Sequence, residues 1–268
     1  MHFTVDKHLL DSPDRILGNS SAQPLWKRLT DIACCLLALP LLALMTLAAQ
    51  IFLRIVSPGP VFFRQQRVGY RGRLFNIYKF RTMRMNTDPR QHRDHVRSLV
   101  GSNSPMAKIE SKNRDCLIPG AWLLRASGLD ELPQIINVLR GEMSIVGPRP
   151  CLPVEYEMYQ PWQLQRFETL PGLTGLWQVS GKNHTTFDEM IRLDIKYATA
   201  KTWIMDSKII RVTVPALWTQ IKEVRTGRSP SAITPHTIPP FRVSRPRFPL
   251  ETSQFYLRED SEKTHPLT

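Results

Sequence analysis

The chain has 268 residues, 42% of them hydrophobic, and 36 Lys+Arg against 23 Asp+Glu give a formal net charge of +13. This balance, with a mean hydropathy of −0.25, excludes a disordered polyampholyte and a collagen-like chain and argues against a polytopic membrane protein. Four cysteines (Cys34, Cys35, Cys116, Cys151) without a Cys-x-x-Cys pair speak against a disulfide-stapled secreted scaffold, so the basic excess is the informative quantity and points to nucleic acid, anionic lipid headgroups or phosphorylated substrates.

Residues 1–24 are polar and unpatterned. From Ile32 to Leu53 the chain carries no charge (IACCLLALPLLALMTLAAQIFL), and 22 residues at helical rise reach about 33 Å, enough to cross a hydrocarbon core. A run this apolar on every face disfavours a buried core helix, and the polar stretch before it disfavours a signal peptide. Pro40 removes a backbone donor and is expected to kink or break the helix. Lys27 and Arg28 precede the segment and Arg54, Arg64, Arg67, Arg71 and Arg73 follow it, so both flanks read as cytoplasmic. A re-entrant, monotopic anchor over 25–58 satisfies both flanks.

Ser57-Pro58-Gly59-Pro60 is a breaker cluster. Val61–Gln66 and Arg73–Thr82 read as strands joined through Gly69-Tyr70-Arg71-Gly72, a hairpin. Residues 86–115 are charge-mixed, a helix or a mobile loop. Helical spacing returns at Trp122–Arg125 and Leu132–Leu139, the latter ending at Gly141. Met143–Val146 is a short strand before Gly147-Pro148-Arg149-Pro150. Helices are predicted over 186–200 and, amphipathic, over 207–224. Beyond 225 the composition predicts a disordered Pro/Arg-rich tail, 225–268.

Charge is unevenly distributed. Residues 54–114 carry fourteen basic and three acidic side chains, while 115–224 carry eleven basic and twelve acidic. The excess therefore follows the apolar segment directly, as suits attraction to anionic headgroups, and no aromatic RNA-binding signature accompanies it.

Four constellations are candidates for chemistry. In Leu129-Asp130-Glu131-Leu132-Pro133-Gln134, adjacent carboxylates open a helix. They serve either as dipole-favourable capping acids or as a nucleophile and a Mg²⁺-holding pair on a diphosphate. In Gly147-Pro148-Arg149-Pro150, prolines stiffen a loop and aim a guanidinium at phosphate, or form a plain structural turn. In Tyr78-Lys79-Phe80-Arg81, strand alternation places Ile77, Lys79 and Arg81 on one face, cationic toward phosphate or toward solvent; Arg125, five residues before Asp130, is a further cation. In PGLTGLWQVSGK (171–182), glycines allow close backbone approach to a ligand and Trp177 suits a membrane interface, the alternative being a packed loop. His92 and His95 share a helical face, but two histidines do not make a metal site.

In order, KRLTD, the apolar hairpin, SPGPVFFRQQRVG, YKFRTM, LDELPQ, NVLRGEMSIVGPRP and PGLTGLWQVSGK resemble the bacterial sugar transferases, the monotopic phosphoglycosyl transferases that initiate exopolysaccharide and lipopolysaccharide synthesis. The resemblance covers roughly residues 25–222. It implies an α+β monotopic membrane protein with a re-entrant helix-break-helix, a catalytic domain over 59–224 and amphipathic interfacial helices. It implies transfer of a sugar-1-phosphate from a nucleotide diphosphate sugar, expected to be a UDP-sugar, to undecaprenyl phosphate with release of UMP. Asp130 is then the nucleophile that forms a covalent phosphosugar, and Asp130 and Glu131 hold Mg²⁺. Lys79, Arg125, Arg149 and Lys182 are then phosphate-binding cations. The chain departs from the family pattern at Lys182, Leu170 and Ala126, where members often carry arginine or another basic residue.

The expected setting is the cytoplasmic face of the bacterial inner membrane, among anionic lipids, without nucleic acid and compatible with a homodimer. Two other readings stay open at this level: a non-catalytic basic membrane adaptor, and a one-step displacement with Asp130 as base.

Overall fold

A computed structural model of the chain describes residues 23–84, 98, 117–180 and 185–226. The predicted features at 1–22, 86–97, 99–115 and 227–268, with His92, His95 and Lys182, lie outside the described residues. By contacts the chain divides into Met1–Pro235 and His236–Thr268, and everything below belongs to the first unit.

Helix α1, Leu25–Val56, contains the apolar segment. Among the described residues it is the one helix long and apolar enough to cross a membrane. It ends at the Ser57-Pro58-Gly59-Pro60 breakers, where the Ser57 N–H caps Leu53 O. The sequence predicts a kink or break at Pro40, and helix continues on both sides of it. Proline removes one i→i−4 bond and bends an axis without having to end the helix, and the apolar residues on either side all favour continuation.

One stripe of α1 at three- and four-residue spacing faces the rest of the unit. Lys27, Asp31, Cys35, Leu42 and Leu53 are buried, and Ala38, Met45 and Ala49 pack partly. Leu36, Leu37, Leu44, Leu47, Ile51 and Ile55 on the other side are exposed. KRLTD supplies the polar attachment. Lys27 Nζ donates to Val146 O (2.9 Å), Tyr197 Oη (2.8 Å) and Asp206 Oδ2 (2.5 Å). Arg28 donates to Val138 O and Leu139 O, while Asp31 Oδ1 accepts from Ser144 Oγ and the Ile145 N–H, both at 2.9 Å.

Strands β1 (Phe62–Val68) and β2 (Leu74–Phe80) form the predicted antiparallel hairpin, with Phe62 opposite Phe80 and Val68 opposite Leu74. The turn between them places Arg71 at φ 51° and Gly72 at φ 75°. Strict alternation fails at the end of β2, because Ile77 and Phe80, three apart, both enter the core with Cys35, Leu42, Ile135, Val138 and Met143. A two-stranded ribbon twists strongly, and Phe80 is turned inward while stacking on Phe62 at 5.7 Å. Arg81 leaves the strand and donates to Pro60 O and to Ser57. It ties the linker after α1 and does not extend a cationic face with Lys79, which corrects that expectation.

Helix α2 (Ala121–Ser127) is followed by a 3-10 segment, Leu129–Gln134, and by α3 (Ile135–Arg140), which terminates at Gly141 in the left-handed region as predicted. Strand β3 (Ser144–Val146) pairs in parallel with β4 (Gly172–Thr174). The glycines of PGLTG serve this pairing. A Cβ on Gly172 would lie 2.0 Å from Gly147 N, and one on Gly175 2.1 Å from Gly147 O. This close approach is of backbone to backbone.

After β3 come α4 (Pro153–Tyr156), a 3-10 segment Pro161–Glu168, and after β4 the short α5 (Leu176–Val179). Trp177 on α5 is buried with Phe187, Met190 and Ile191 and donates to Thr185 Oγ1. It is a core residue, and the expectation that it sits at a membrane interface is corrected. Helix α6, Phe187–Ala200, starts at a Thr186–Glu189 capping box, a signature readable from the sequence. Helix α7, Trp203–Thr226, begins four residues before its predicted start and carries Pro215. Its Met205 and Ile209 are buried, while Trp203, Ile204, Val214 and Trp218 are exposed, as are Trp122 and Leu123 of α2.

Candidate active site

The carboxylate pair lies on the 3-10 segment that follows Gly128, whose φ of 72° places it in the left-handed region between α2 and the segment. Gly128 carries no side chain to cap the turn, and both carboxylates lie in its first turn, where acids suit the positive end of the dipole. Asp130 is 8% exposed. Glu131 is more open, and its Oε1 accepts from Lys79 Nζ at 2.7 Å, so β2 delivers one predicted cation directly to the pair.

Arg125, on the last turn of α2, donates from Nη1 to Thr82 Oγ1 at 3.2 Å. Burial lowers its pKa below the usual arginine value, and the charges of Asp130 and Glu131 act in the opposite direction. Lys79, Arg125, Asp130 and Glu131 are thus brought together from three elements.

Arg149 belongs to an adjoining cluster. Its Nη1 donates to both oxygens of Glu155, at 3.1 and 2.9 Å. Its backbone carbonyl accepts from Arg166 Nη2 at 2.8 Å, and Pro150 O accepts from Arg67 Nη1 at 3.0 Å. Pro148 O accepts from the Gly172 N–H. Three successive carbonyls of the Gly-Pro-Arg-Pro loop are therefore fixed, two of them by buried arginines. Arg166 is paired with Asp194. Burial lifts the Asp194 carboxyl to about 6, against the pull of Arg166 and Arg149.

Arg67 connects the two groups. Burial brings it down to about 10, with repulsion from Arg149 adding, and the charges of Glu155 and Glu131 oppose this. Arg67, Glu155, Arg166 and Asp194 are absent from the sequence-derived site. Arg67 is counted there only among the basic residues flanking the apolar segment. Glu155 has a readable signal, a glutamate at the third position of a helix that starts with Pro153, although nothing local connects it to Arg149.

Among the described residues no group of three or more His, Cys, Asp or Glu side chains could hold a metal ion. Two carboxylates alone suit Mg²⁺, which keeps waters and is bound through one or two carboxylates plus substrate phosphates. The donor set at Asp130 and Glu131 fits that ion.

A family profile described as bacterial sugar transferase matches residues 22–220. The chain belongs to the bacterial sugar transferase family. It is 34% identical over 199 residues to the exopolysaccharide production protein ExoY of Sinorhizobium fredii, covering 71% of this chain and 84% of that one. It is 37% identical over 208 residues to the UDP-glucose:undecaprenyl-phosphate glucose-1-phosphate transferase of Caulobacter vibrioides, covering 74% and 72%. To the galactosyl transferase CpsE of Streptococcus agalactiae it is 43% identical over 157 residues, 58% of this chain but only 34% of that protein. The family match takes in every described residue of the two clusters above.

Proposed function

We propose that this transferase moves a sugar-1-phosphate from a UDP-sugar to undecaprenyl phosphate, as the first step in assembling an exopolysaccharide or O-antigen-type glycan. A carboxylate oxygen of Asp130 attacks the sugar-bearing phosphorus, the bond from that phosphorus to the bridging oxygen breaks, and UMP leaves with that oxygen. A phosphate oxygen of undecaprenyl phosphate then attacks the same phosphorus. The lipid diphosphosugar departs and the Asp130 carboxylate is restored, so charge and atoms balance over the two steps. Two displacements let one weak nucleophile serve two bulky anionic substrates in turn.

The observation that carries the reading is the low exposure of Asp130 beside the Lys79–Glu131 pair and Arg125. A carboxylate that must meet a diphosphate needs surrounding cations to offset repulsion, and a fixed cationic environment also stabilises charge that builds on the equatorial oxygens. Asp130 and Glu131 would hold Mg²⁺, which when bound neutralises diphosphate charge. Lys79 and Arg125 sit where they offset the dyad, Arg149 presents a guanidinium to phosphate, and Lys182 is assigned to the same task from the family resemblance.

The acceptor is a membrane lipid, and the reading places α1 in the inner membrane as a re-entrant anchor with the catalytic unit on the cytoplasmic side. What supports an anchor that stays on one side is that Lys27 near the start of α1 and Leu53 near its end both pack against the same unit. The exposed Trp122, Trp203 and Trp218 are of the type that seats at a headgroup plane, and anionic lipids are the proposed surroundings.

The test is incubation of purified enzyme with radiolabelled UDP-sugar and Mg²⁺ in the absence of lipid acceptor. Release of UMP with label retained on the protein is expected, and both are lost in Asp130→Asn. UMP release only after addition of lipid phosphate would replace the covalent route by one-step displacement. No turnover under any condition would leave a basic membrane adaptor.

A further inference from the structure

The polar cluster behind the Gly-Pro-Arg-Pro loop holds three guanidiniums, Arg67, Arg149 and Arg166, against two carboxylates, Glu155 and Asp194. Burying like charges is costly unless each is paired, so three guanidiniums against two carboxylates make the cluster attractive to an anion. The guanidinium that reaches toward solvent is Arg149, whose side chain keeps 23% of its surface exposed while Glu155 keeps 1%.

The hydrogen bonds of Arg149 are one-sided. Nη1 is engaged by both carboxylate oxygens of Glu155, whereas Nε and Nη2 have no protein partner among the described residues. These two nitrogens form the planar edge that matches two phosphate oxygens. The Glu155 carboxylate is itself held by the Leu152 N–H at 3.2 Å. Burial would raise its pKa, but Arg149, Arg67 and Arg166 hold it below the ordinary glutamate value, so it is charged. The loop backbone on either side is fixed by Arg166 and Arg67. Arg149 is thereby pinned at its carbonyl and at one terminal nitrogen.

We propose that Glu155 is a positioning residue that acts through Arg149, holding Nη1 so that the Nε/Nη2 edge is presented, already oriented, to a substrate phosphate. The proposal rests on the reading of Arg149 as a phosphate ligand. Pre-orientation removes the side-chain entropy that a long arginine otherwise loses on binding. Glu155→Gln keeps the oxygen that accepts from Leu152 and from Nη1 at 2.9 Å, but it removes the charge and sets an amide N–H against Nη1 in place of the 3.1 Å acceptor, so Arg149 is held by one neutral bond instead of two charge-assisted ones.

Full-length protein in detergent with Mg²⁺ is titrated by calorimetry with UDP and, separately, with decyl phosphate as a short lipid phosphate. The set is wild type, Arg149→Ala, Glu155→Gln and the double variant. Arg149→Ala and Glu155→Gln are each expected to weaken the same ligand about tenfold, or about 1.4 kcal/mol, and the double variant to match Arg149→Ala alone. The ligand that weakens identifies which phosphate the edge takes. Wild-type affinity in Glu155→Gln, or additive losses in the double variant, overturns the positioning role. Unchanged affinity for both ligands in Arg149→Ala overturns the underlying phosphate reading instead.

Thermal midpoint and binding stoichiometry separate a structural effect, since a merely misfolded fraction lowers stoichiometry and leaves Kd as in wild type. Should Glu155→Gln not fold, Glu155→Asp keeps the charge but shortens the reach. It is expected to weaken binding less than tenfold and only when Arg149 is present; a loss that persists in Arg149→Ala overturns the role.

Discussion

Replacing Lys27 by methionine removes the cation at the point where α1 meets β3, α6 and α7. Lys27 is 1% exposed and its partner Asp206 4%, and Nζ makes three hydrogen bonds there, one of them the 2.5 Å ion pair. Methionine fills nearly the same volume, so cavity formation adds little. What remains is an Asp206 carboxylate in a dry site, with the Tyr197 hydroxyl donating to Oδ1 as its surviving partner. Leaving one member of a buried pair uncompensated costs about 3–5 kcal/mol. At about 2–4 °C per kcal/mol for a folded unit of this size, the thermal midpoint should fall by roughly 10 °C, followed by intrinsic fluorescence in detergent. The double variant Lys27→Met/Asp206→Asn removes both charges and should recover at least half of the loss, because the desolvated charge rather than the missing contact dominates. A single-variant drop below about 2 °C would refute this account, as would a double variant no better than the single one.

Three further outcomes are expected. Gly172→Ala, which drives a Cβ to 2.0 Å from Gly147 N, should cost about 3 kcal/mol or more. Gly141→Ala, where φ is 79° but nothing lies within 4 Å, should cost about 1 kcal/mol; equal thermal midpoints would refute the backbone contact. The folded-state pKa of Asp194 lies at about 6, above its ordinary 3.8. The native state therefore holds this proton longer, and the contribution to stability falls as pH rises from about 4 to 6. Asp194→Asn should give a more positive slope of midpoint against pH across that window, and an unchanged slope would refute it. For the anchor, cysteines placed at Ser21 and Arg71 in a cysteine-replaced background should be equally protected from an impermeant reagent in spheroplasts. Labelling of one flank alone would mean a straight crossing.

Local signals carried the hairpin and the Gly141 stop, because turn glycines and helix terminators act over three or four residues. The order of motifs carried the family, which the profile match over residues 22–220 bears out. Local reasoning failed where a side chain's partner lies far along the chain. The glycines of PGLTG answer to Gly147, Trp177 answers to Phe187 and Met190, and Arg81 answers to the linker at Ser57 and Pro60. Strand alternation likewise misplaced Phe80, because the twist of a two-stranded ribbon is set against α1 and α3 and not by period alone.

Composition and motif order by themselves determined a long apolar segment followed by a basic excess, a mixed helix and strand unit, and the residue types of the candidate site. Only the tertiary structure decided which of the many basic residues gather there. Lys79 reaches Glu131 across 52 positions, and Arg67 reaches Pro150 across 83. Charge is a property of composition, whereas its pairing depends on distance in the fold, and a buried guanidinium is stable only beside the carbonyls and carboxylates that the packed elements bring to it.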